Sequence, residues 1–187
     1  MSNIDNKLIL FDKCDIFTPD QISKTMSSYL HKHGSMLEPA VGIGNLLKYI
    51  TISNYDVIDI FDIKQKYLDN CINNYNIHKH CQDFIETKIE KKYDNIILNP
   101  PYIKIQDLST DYRRLIKNKY PLFSKGSFDL YIIFMIKCIE LLNDNGILVA
   151  IIPNSFLYNK TSTQFRQYLI DNTFIKEIID HEDEKVF

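Results

Sequence analysis

Short apolar segments of strand length alternate with segments of helical periodicity along this chain, and this alternation constrains the fold more than any other feature. The predicted strands are residues 35–38, 55–61, 77–81, 93–98, 147–152 and 174–179, and the predicted helices are residues 18–34, 64–75, 128–142 and segments that begin at Asn45 and Thr161. Repeated strand–helix alternation joins parallel strands by right-handed crossovers. We therefore predict an α/β fold, a doubly wound, mostly parallel sheet with helices on both faces.

Local signals predict where some of these helices begin and end. Thr18 is expected to be the N-cap of the first helix and Pro19 its first residue, and Gly34 is expected to end it. Thr161 and Gln164 match a capping box at the start of the last helix.

Two segments are predicted to be irregular. Residues 143–146, Asn-Asp-Asn-Gly, are expected to form a turn. Residues 103–126 have poor periodicity and carry several basic side chains. A connection of this length is unusual in a compact domain, and we expect it to be a functional loop.

Composition excludes several classes of protein. The 187 residues fit one domain, and a net charge of −2 argues against a protein that coats nucleic acid through bulk charge. No apolar run approaches the roughly 20 residues that cross a bilayer, so no membrane span is expected. The four cysteines lack metal-ligand spacing, which predicts reduced thiols, no metal site and a cytoplasmic location.

A loop rich in small residues follows the strand 35–38. Glu38 ends that strand, and Ala40, Gly42 and Gly44 lie in the turn after it, where glycine lets the backbone approach a ligand closely. The loop lacks the GxGxxG pattern of a phosphate cradle. Its leading carboxylate favours a cationic group instead, such as the ammonium of a methionine moiety. A plain strand-to-helix turn is the alternative interpretation.

Two further acids follow predicted strands. Asp62 lies 24 residues after Glu38, a spacing at which a carboxylate can accept both hydroxyls of a ribose. Asp59 competes for this role, but it lies inside the apolar run, so Asp62 is preferred. Ile63 would then pack on an adenine ring. Asp83, followed by Phe84, is a weaker candidate to accept from an adenine amino group.

The tetrapeptide Asn99-Pro100-Pro101-Tyr102, directly after the strand 93–98, is the strongest signal in the chain. Two prolines stiffen the backbone and remove two N–H donors, which leaves the Asn99 amide oxygen and nearby carbonyls as acceptors. A rigid, acceptor-rich pocket suits a planar amino group such as adenine N6, and Tyr102 can stack on the ring. If the amine reacts in this pocket, its positioning and the electrostatic stabilisation by these acceptors would accelerate the reaction.

These motifs together resemble the gamma-type amino-methyltransferases that act on adenine in DNA, including the Taq-type enzymes and the methylase parts of type I and type IIG restriction systems. The segment Phe17-Thr18-Pro19, placed before the glutamate loop, is similar to the family's N-terminal cofactor motif. The resemblance covers residues 17–187. It implies the Rossmann-like fold of class I S-adenosylmethionine-dependent methyltransferases, with residues 1–187 as the catalytic domain.

The resemblance also implies a role for each matching residue. On the cofactor side, the Thr18-Pro19 turn would contact the methionine carboxylate, Glu38 the ammonium and Asp62 the ribose. The adenine pocket would be lined by Ile63, Pro101, Phe134 and Phe84, with Asp83 on the amino group, and Ala40, Gly42 and Gly44 would form the loop beside the cofactor.

On the target side, Asn99 and the Pro100 carbonyl would hold the amine of an adenine flipped out of DNA, because the amine is inaccessible inside a duplex. Pro101 stiffens this motif, and Tyr102 and Phe187 would stack on the base. Family members continue past the position of Phe187 with a β-hairpin and a target-recognition domain. The expectation is therefore a C-terminally truncated fold whose DNA recognition comes from a domain or specificity subunit supplied elsewhere.

Three alternatives remain open from the sequence. An Asn-Pro-Pro-Tyr loop also serves enzymes that methylate adenine N6 in RNA and the glutamine N5 amide of release factors. A third alternative, from another class of protein, is a non-catalytic scaffold subunit that binds S-adenosylmethionine. The Thr18-Pro19 start favours the DNA enzymes.

Overall fold

Five parallel strands form the sheet at the centre of this protein. The computed structural model describes residues 17–123 and 128–181, and its strands are β1 (Ser35–Glu38), β2 (Val57–Asp62), β3 (Ile77–Cys81), β4 (Tyr93–Leu98) and β5 (Leu142–Ala150). Their order is β3-β2-β1-β4-β5, and every neighbouring pair is parallel. The order therefore reverses between β1 and β4, which is the point where ligands bind in sheets of this kind.

Five α-helices in the described residues cover both faces of this sheet. They are α1 (Asp20–Ser28), α2 (Gln65–Asn70), α3 (Thr110–Lys119), α4 (Leu130–Glu140) and α5 (Thr163–Asn172). Adjacent side chains of β1 lie on opposite faces of the sheet. Leu37 belongs to the core formed with α3, α4 and α5, and Met36 belongs to the core formed with α1 and α2. The predicted doubly wound α/β fold is confirmed, with a sheet that is wholly parallel.

Three strands, β1, β3 and β4, agree best with the sequence predictions. β3 and β4 have the predicted bounds, 77–81 and 93–98, and β1 matches 35–38. β5 ends at Ala150 and begins at Leu142, before the predicted turn. Its pairing with β4 is irregular until Ile147, and Asn145 has a φ of 62° within the irregular part.

Several helix boundaries differ from the predictions. The first helix begins at Asp20 and ends at Ser28, with Pro19 as an N-cap that makes no side-chain bond, so Thr18 does not cap it. The predicted capping box at Thr161 is also wrong, because the N-cap of α5 is Ser162 and no side chain caps it. The helix expected from Asn45 is only a 3₁₀ turn, Asn45–Leu47.

Two longer segments also differ. The expected loop 103–126 contains α3, which starts at a capping Ser109 and buries Tyr112 and Ile116. Residues 174–179 form no strand, and Phe174 is 92 % exposed. They pair with no strand of the sheet within the described part of the chain. Within that part, no helix is both long and apolar enough to cross a membrane.

A buried carboxylate, Asp59 in β2, links the edge strand β3 to the start of β4. It is 1 % exposed and accepts hydrogen bonds from His80 Nε2 at 2.6 Å and the Tyr93 hydroxyl at 3.1 Å, and it pairs with the Lys91 ammonium. Burial alone would raise the pKa of Asp59, but the Lys91, His80 and Tyr93 donors outweigh burial and hold the pKa below its usual value. The charged form is therefore the stable one in the fold.

We predict that Asp59 contributes stability that acid removes. Because its pKa is lower in the folded than in the unfolded chain, the contribution is complete above about pH 4 and is lost as the pH falls through the folded pKa. Asp59→Asn should lower the free energy of unfolding at neutral pH by about 3–5 kcal/mol, as expected when a buried ion pair loses one partner. Urea unfolding across this pH range measures it. Asp56→Asn, at an exposed position, is the control, and equal stability of the two variants would contradict the assignment.

Candidate active site

A cavity opens where the strands on either side of the order reversal end. Its walls are the turn after β1, the end of β2, the residues after β3 and β4, the start of the described chain, and one residue of α4. Thirteen predicted site residues line it: Thr18, Glu38, Ala40, Gly42, Asp62, Ile63, Asp83, Phe84, Asn99, Pro100, Pro101, Tyr102 and Phe134. Pro19 and Gly44 are not among the lining residues, and Phe187 lies outside the described residues.

Glu38 is the least satisfied polar group in the cavity wall. Its side chain is buried, and neither carboxylate oxygen has a hydrogen-bond partner among the described residues. Burial, followed by the nearby Asp62 charge, raises the pKa of Glu38 well above its usual value. An unpaired buried carboxylate is costly, and a cationic group in the cavity would remove that cost. The site therefore fits an ammonium.

The turn after β1 and the end of β2 are locked together through Asp62. Its Oδ2 accepts from the backbone N–H of Gly42 at 3.0 Å, and its Oδ1 accepts from the backbone N–H of Lys64 at 2.8 Å. Gly42 has a φ of 51°, and an added Cβ there would lie 3.4 Å from the Phe17 ring. Asp62 lines the cavity, whereas Asp59 lies apart from it in the network with His80.

An aromatic wall forms the side of the cavity after β3. Phe84 is buried, with its ring centroid 5.3 Å from that of Phe134 and 5.6 Å from that of Phe61. Beside it, Asp83 Oδ1 accepts from the backbone N–H groups of Ile85 and Glu86 at 2.8 and 3.1 Å. An apolar slot next to a fixed carboxylate suits a flat heterocycle that carries an amino group.

The Asn-Pro-Pro-Tyr motif is joined to the start of the chain by hydrogen bonds. Asn99 Nδ2 donates to Thr18 Oγ1 at 3.0 Å. The Tyr102 hydroxyl has one hydrogen, which it shares between Asn99 Oδ1 at 2.7 Å and the Ile151 carbonyl at 3.0 Å. Burial raises the pKa of Tyr102, so this hydroxyl stays protonated. The tyrosine therefore contacts the amide oxygen to which sequence analysis assigned the target amine.

Sequence analysis missed several residues of the cavity wall, notably Lys64 and Tyr67. Lys64 is buried, and its ammonium lies 5.2 Å from the centroid of the Tyr67 ring. The apolar periodicity of residues 64–75 placed both residues on a helix but gave no signal for a site. Within residues 17–123 and 128–181, no group of His, Cys, Asp or Glu side chains is arranged to hold a metal ion.

The fold has a close counterpart among solved structures. A protein from Listeria monocytogenes, described as a class I S-adenosylmethionine-dependent methyltransferase, superposes with a TM-score of 0.65 and 16 % identity, covering 83 % of this chain and 52 % of that chain. This chain therefore has the Rossmann-like fold of the class I S-adenosylmethionine-dependent methyltransferases, as predicted.

Comparison of the amino-acid sequence with known proteins identifies a family within this class of methyltransferases. Residues 22–187 match the Eco57I restriction-modification methylase family, and this chain belongs to it. It is 32 % identical over 175 residues to the type II methyltransferase M.AccI of Acinetobacter calcoaceticus, covering 87 % of this chain and 32 % of that protein. It is 30 % identical to M.HincII of Haemophilus influenzae, covering 91 % of this chain and 34 % of that protein. The chain thus spans about a third of the length of these relatives, and the predicted resemblance to restriction-system methylases is confirmed.

We predict that binding of S-adenosylhomocysteine releases a proton from Glu38 at mildly acid pH. The raised pKa keeps Glu38 protonated there in the free chain, and the ligand ammonium favours the carboxylate, so affinity should rise with pH. Calorimetric titration in two buffers of different ionisation enthalpy counts the protons.

Glu38→Gln should remove this proton release and weaken binding by about tenfold or more, the effect of losing roughly 1.4 kcal/mol. Glu90→Gln, at an exposed carboxylate, is the matched control. Proton release that persists unchanged in Glu38→Gln would show that another group is responsible.

Proposed function

We propose that this chain binds S-adenosylmethionine in the cavity and transfers its methyl group to the N6 amino group of adenine in DNA. The observation that carries the proposal is that Glu38 and Asn99 line one cavity. Glu38 ends β1, and Asn99 directly follows the adjacent strand β4. One offers an unpaired carboxylate and the other an amide, so a cation-bearing methyl donor and an amine acceptor would meet there. Membership in a restriction-modification methylase family supports DNA as the substrate.

On the cofactor side, the Glu38 carboxylate would pair with the ammonium and the Thr18 hydroxyl would contact the methionine carboxylate. Asp62, held by two backbone N–H groups, would accept from the ribose hydroxyls. The adenine would lie between Ile63, Pro101 and Phe134, with Asp83 at its amino group. The bound cofactor supplies an electrophilic methyl sulfonium, so no strong base is needed before attack.

On the target side, the Asn99 amide oxygen and the Pro100 carbonyl would accept the two hydrogens of the flipped adenine amine. These bonds would pull the amine out of conjugation and aim its lone pair at the methyl group. Tyr102 would stack on the base, as would Phe187, which lies outside the described residues. In the structure the Tyr102 hydroxyl is bonded to Asn99 Oδ1, so the entering amine has to share or replace that bond.

In this proposal the cavity residues carry out methyl transfer, and a target-recognition domain or specificity subunit recognises the DNA. Two observations support it: thirteen of the predicted site residues line one cavity, and the relatives are about three times as long. With genomic DNA as the substrate, the proposed activity belongs in the cytoplasm. A scaffold without activity is disfavoured because both the cofactor and target residues are present in the cavity wall.

We predict that Asn99→Ala abolishes methyl transfer to DNA while it leaves the affinity for S-adenosylmethionine within a few-fold. Asp62→Ala is the matched contrast, because it should lose cofactor binding itself. Transfer of a labelled methyl group and calorimetric titration separate the two effects. A large loss of cofactor binding in Asn99→Ala would refute its place on the target side. Cofactor binding without any transfer, by a version of the chain extended past Phe187, would support the scaffold.

A second pair of variants tests Tyr102. Tyr102→Ala should weaken capture of the base, because stacking is worth about 1–3 kcal/mol per base. Tyr102→Phe keeps the ring but removes the bond to Asn99, so it should capture the base about as well as the wild type. The KM for duplex DNA measures both. Unchanged kinetics in Tyr102→Ala would exclude the stacking role.

A further inference from the structure

The turn that follows β3 is held in place by side chains from two helices that come later in the chain. The Tyr112 hydroxyl of α3 donates to Asp83 Oδ1 at 3.1 Å, and Lys119 Nζ, at the end of α3, donates to the Ile85 carbonyl at 2.5 Å. Lys137 Nζ of α4 donates to the Phe84 carbonyl and, at 2.6 Å, to the Thr87 carbonyl. These bonds hold the Asp83 side chain and the backbone that follows it, from Phe84 to Thr87.

Lys137 shows how firmly this turn is held. It is buried, and its ammonium lies 4.4 Å from the centroid of the Phe84 ring. Burial, followed by repulsion from Lys119, lowers the pKa of Lys137 to about 8. A buried ammonium is stable only when it is well hydrogen-bonded, and here the acceptors are the carbonyls of the turn. The turn backbone is therefore firmly held, and the orientation of the Asp83 side chain depends on the hydrogen bonds that it accepts.

Tyr112 is well placed to fix that orientation. Asp83 Oδ1 receives two N–H groups from its own turn and the Tyr112 hydroxyl from α3. Tyr112 is 3 % exposed, and burial raises its pKa, so it remains a donor at any physiological pH. Asp83 lines the cavity, whereas Tyr112 is not among the lining residues. The hydrogen bond to Asp83 therefore links Tyr112 to the cavity wall.

We propose that Tyr112 is a positioning residue that makes the cavity selective for adenine in its cofactor, by holding Asp83 as a hydrogen-bond acceptor. This inference rests on the proposed function, which places the cofactor's adenine amino group at Asp83. A fixed carboxylate accepts from an amino group and repels a carbonyl oxygen at the same position. Sites built around a buried hydrogen bond discriminate strongly against an analogue that cannot make it.

The test compares S-adenosylhomocysteine with S-inosylhomocysteine, in which a carbonyl oxygen replaces the adenine amino group. Calorimetric titration gives the affinity of each ligand, and their ratio reports selectivity. Tyr112→Phe removes one oxygen atom; it should weaken binding of the adenosyl ligand about five- to tenfold, the size of one hydrogen bond. Affinity for the inosyl ligand should change less than about twofold, so the ratio falls. Tyr120→Phe, the same change at another buried tyrosine near the end of α3, should leave the ratio intact.

The outcomes separate this inference from the function on which it rests. Failure of the wild-type chain to bind S-adenosylhomocysteine would overturn the proposed function itself. Equal losses for both ligands in Tyr112→Phe, or no loss for either, would overturn the positioning role while the function stands. Asp83→Asn, which keeps Tyr112, is the second variant: it should also lower the ratio, and an unchanged ratio would show that Asp83 does not contact the ring.

Discussion

The parallel pairing of β1 with β2 on one side and β4 on the other is the constraint on which the rest of this structure depends. It brings the carboxyl ends of three strands to one edge, and the reversal of strand order opens a cavity there. Glu38, Asp62 and Asn99 are far apart in sequence, yet each lies at or directly after one of these ends. The apolar interiors of the strands are buried on both faces, so the positions of these polar ends are set by the packing of the core rather than by flexible loops.

The cavity also contains a buried carboxylate that the fold leaves unsatisfied. Glu38 is buried with no hydrogen-bond partner among the described residues, and Asp62 adds a second negative charge nearby. Asp59 shows the contrast one strand away, because its equally buried carboxylate has three donors. Proteins commonly break rules of polar satisfaction at functional sites and offset the cost elsewhere. In this chain, the departure coincides with the cavity.

The sequence predicted most strands of the sheet and the main site residues because both depend on local patterns. β3 and β4 have their predicted bounds, and the acids and the Asn-Pro-Pro-Tyr motif follow strands as expected. It failed for α3, where a charged outer face concealed the buried Tyr112 and Ile116, and for residues 174–179, whose apolar pattern forms a strand only when a partner strand is available. The bonds from Tyr102 to Asn99 and from Tyr112 to Asp83 join residues through side-chain conformations that no spacing rule encodes.

The bond between the Tyr102 hydroxyl and Asn99 Oδ1 has an energetic consequence for the proposed reaction. Because Asn99 Oδ1 already accepts a hydrogen bond from the protein, an incoming amine exchanges one hydrogen bond for another. The affinity for the base in the ground state therefore gains little from Asn99. The amide oxygen contributes most when positive charge develops on the attacking nitrogen, since a charged donor forms a stronger hydrogen bond than a neutral hydroxyl. Such differential stabilisation accelerates the chemical step without raising the affinity for the substrate or the methylated product. Tight product binding therefore does not slow turnover.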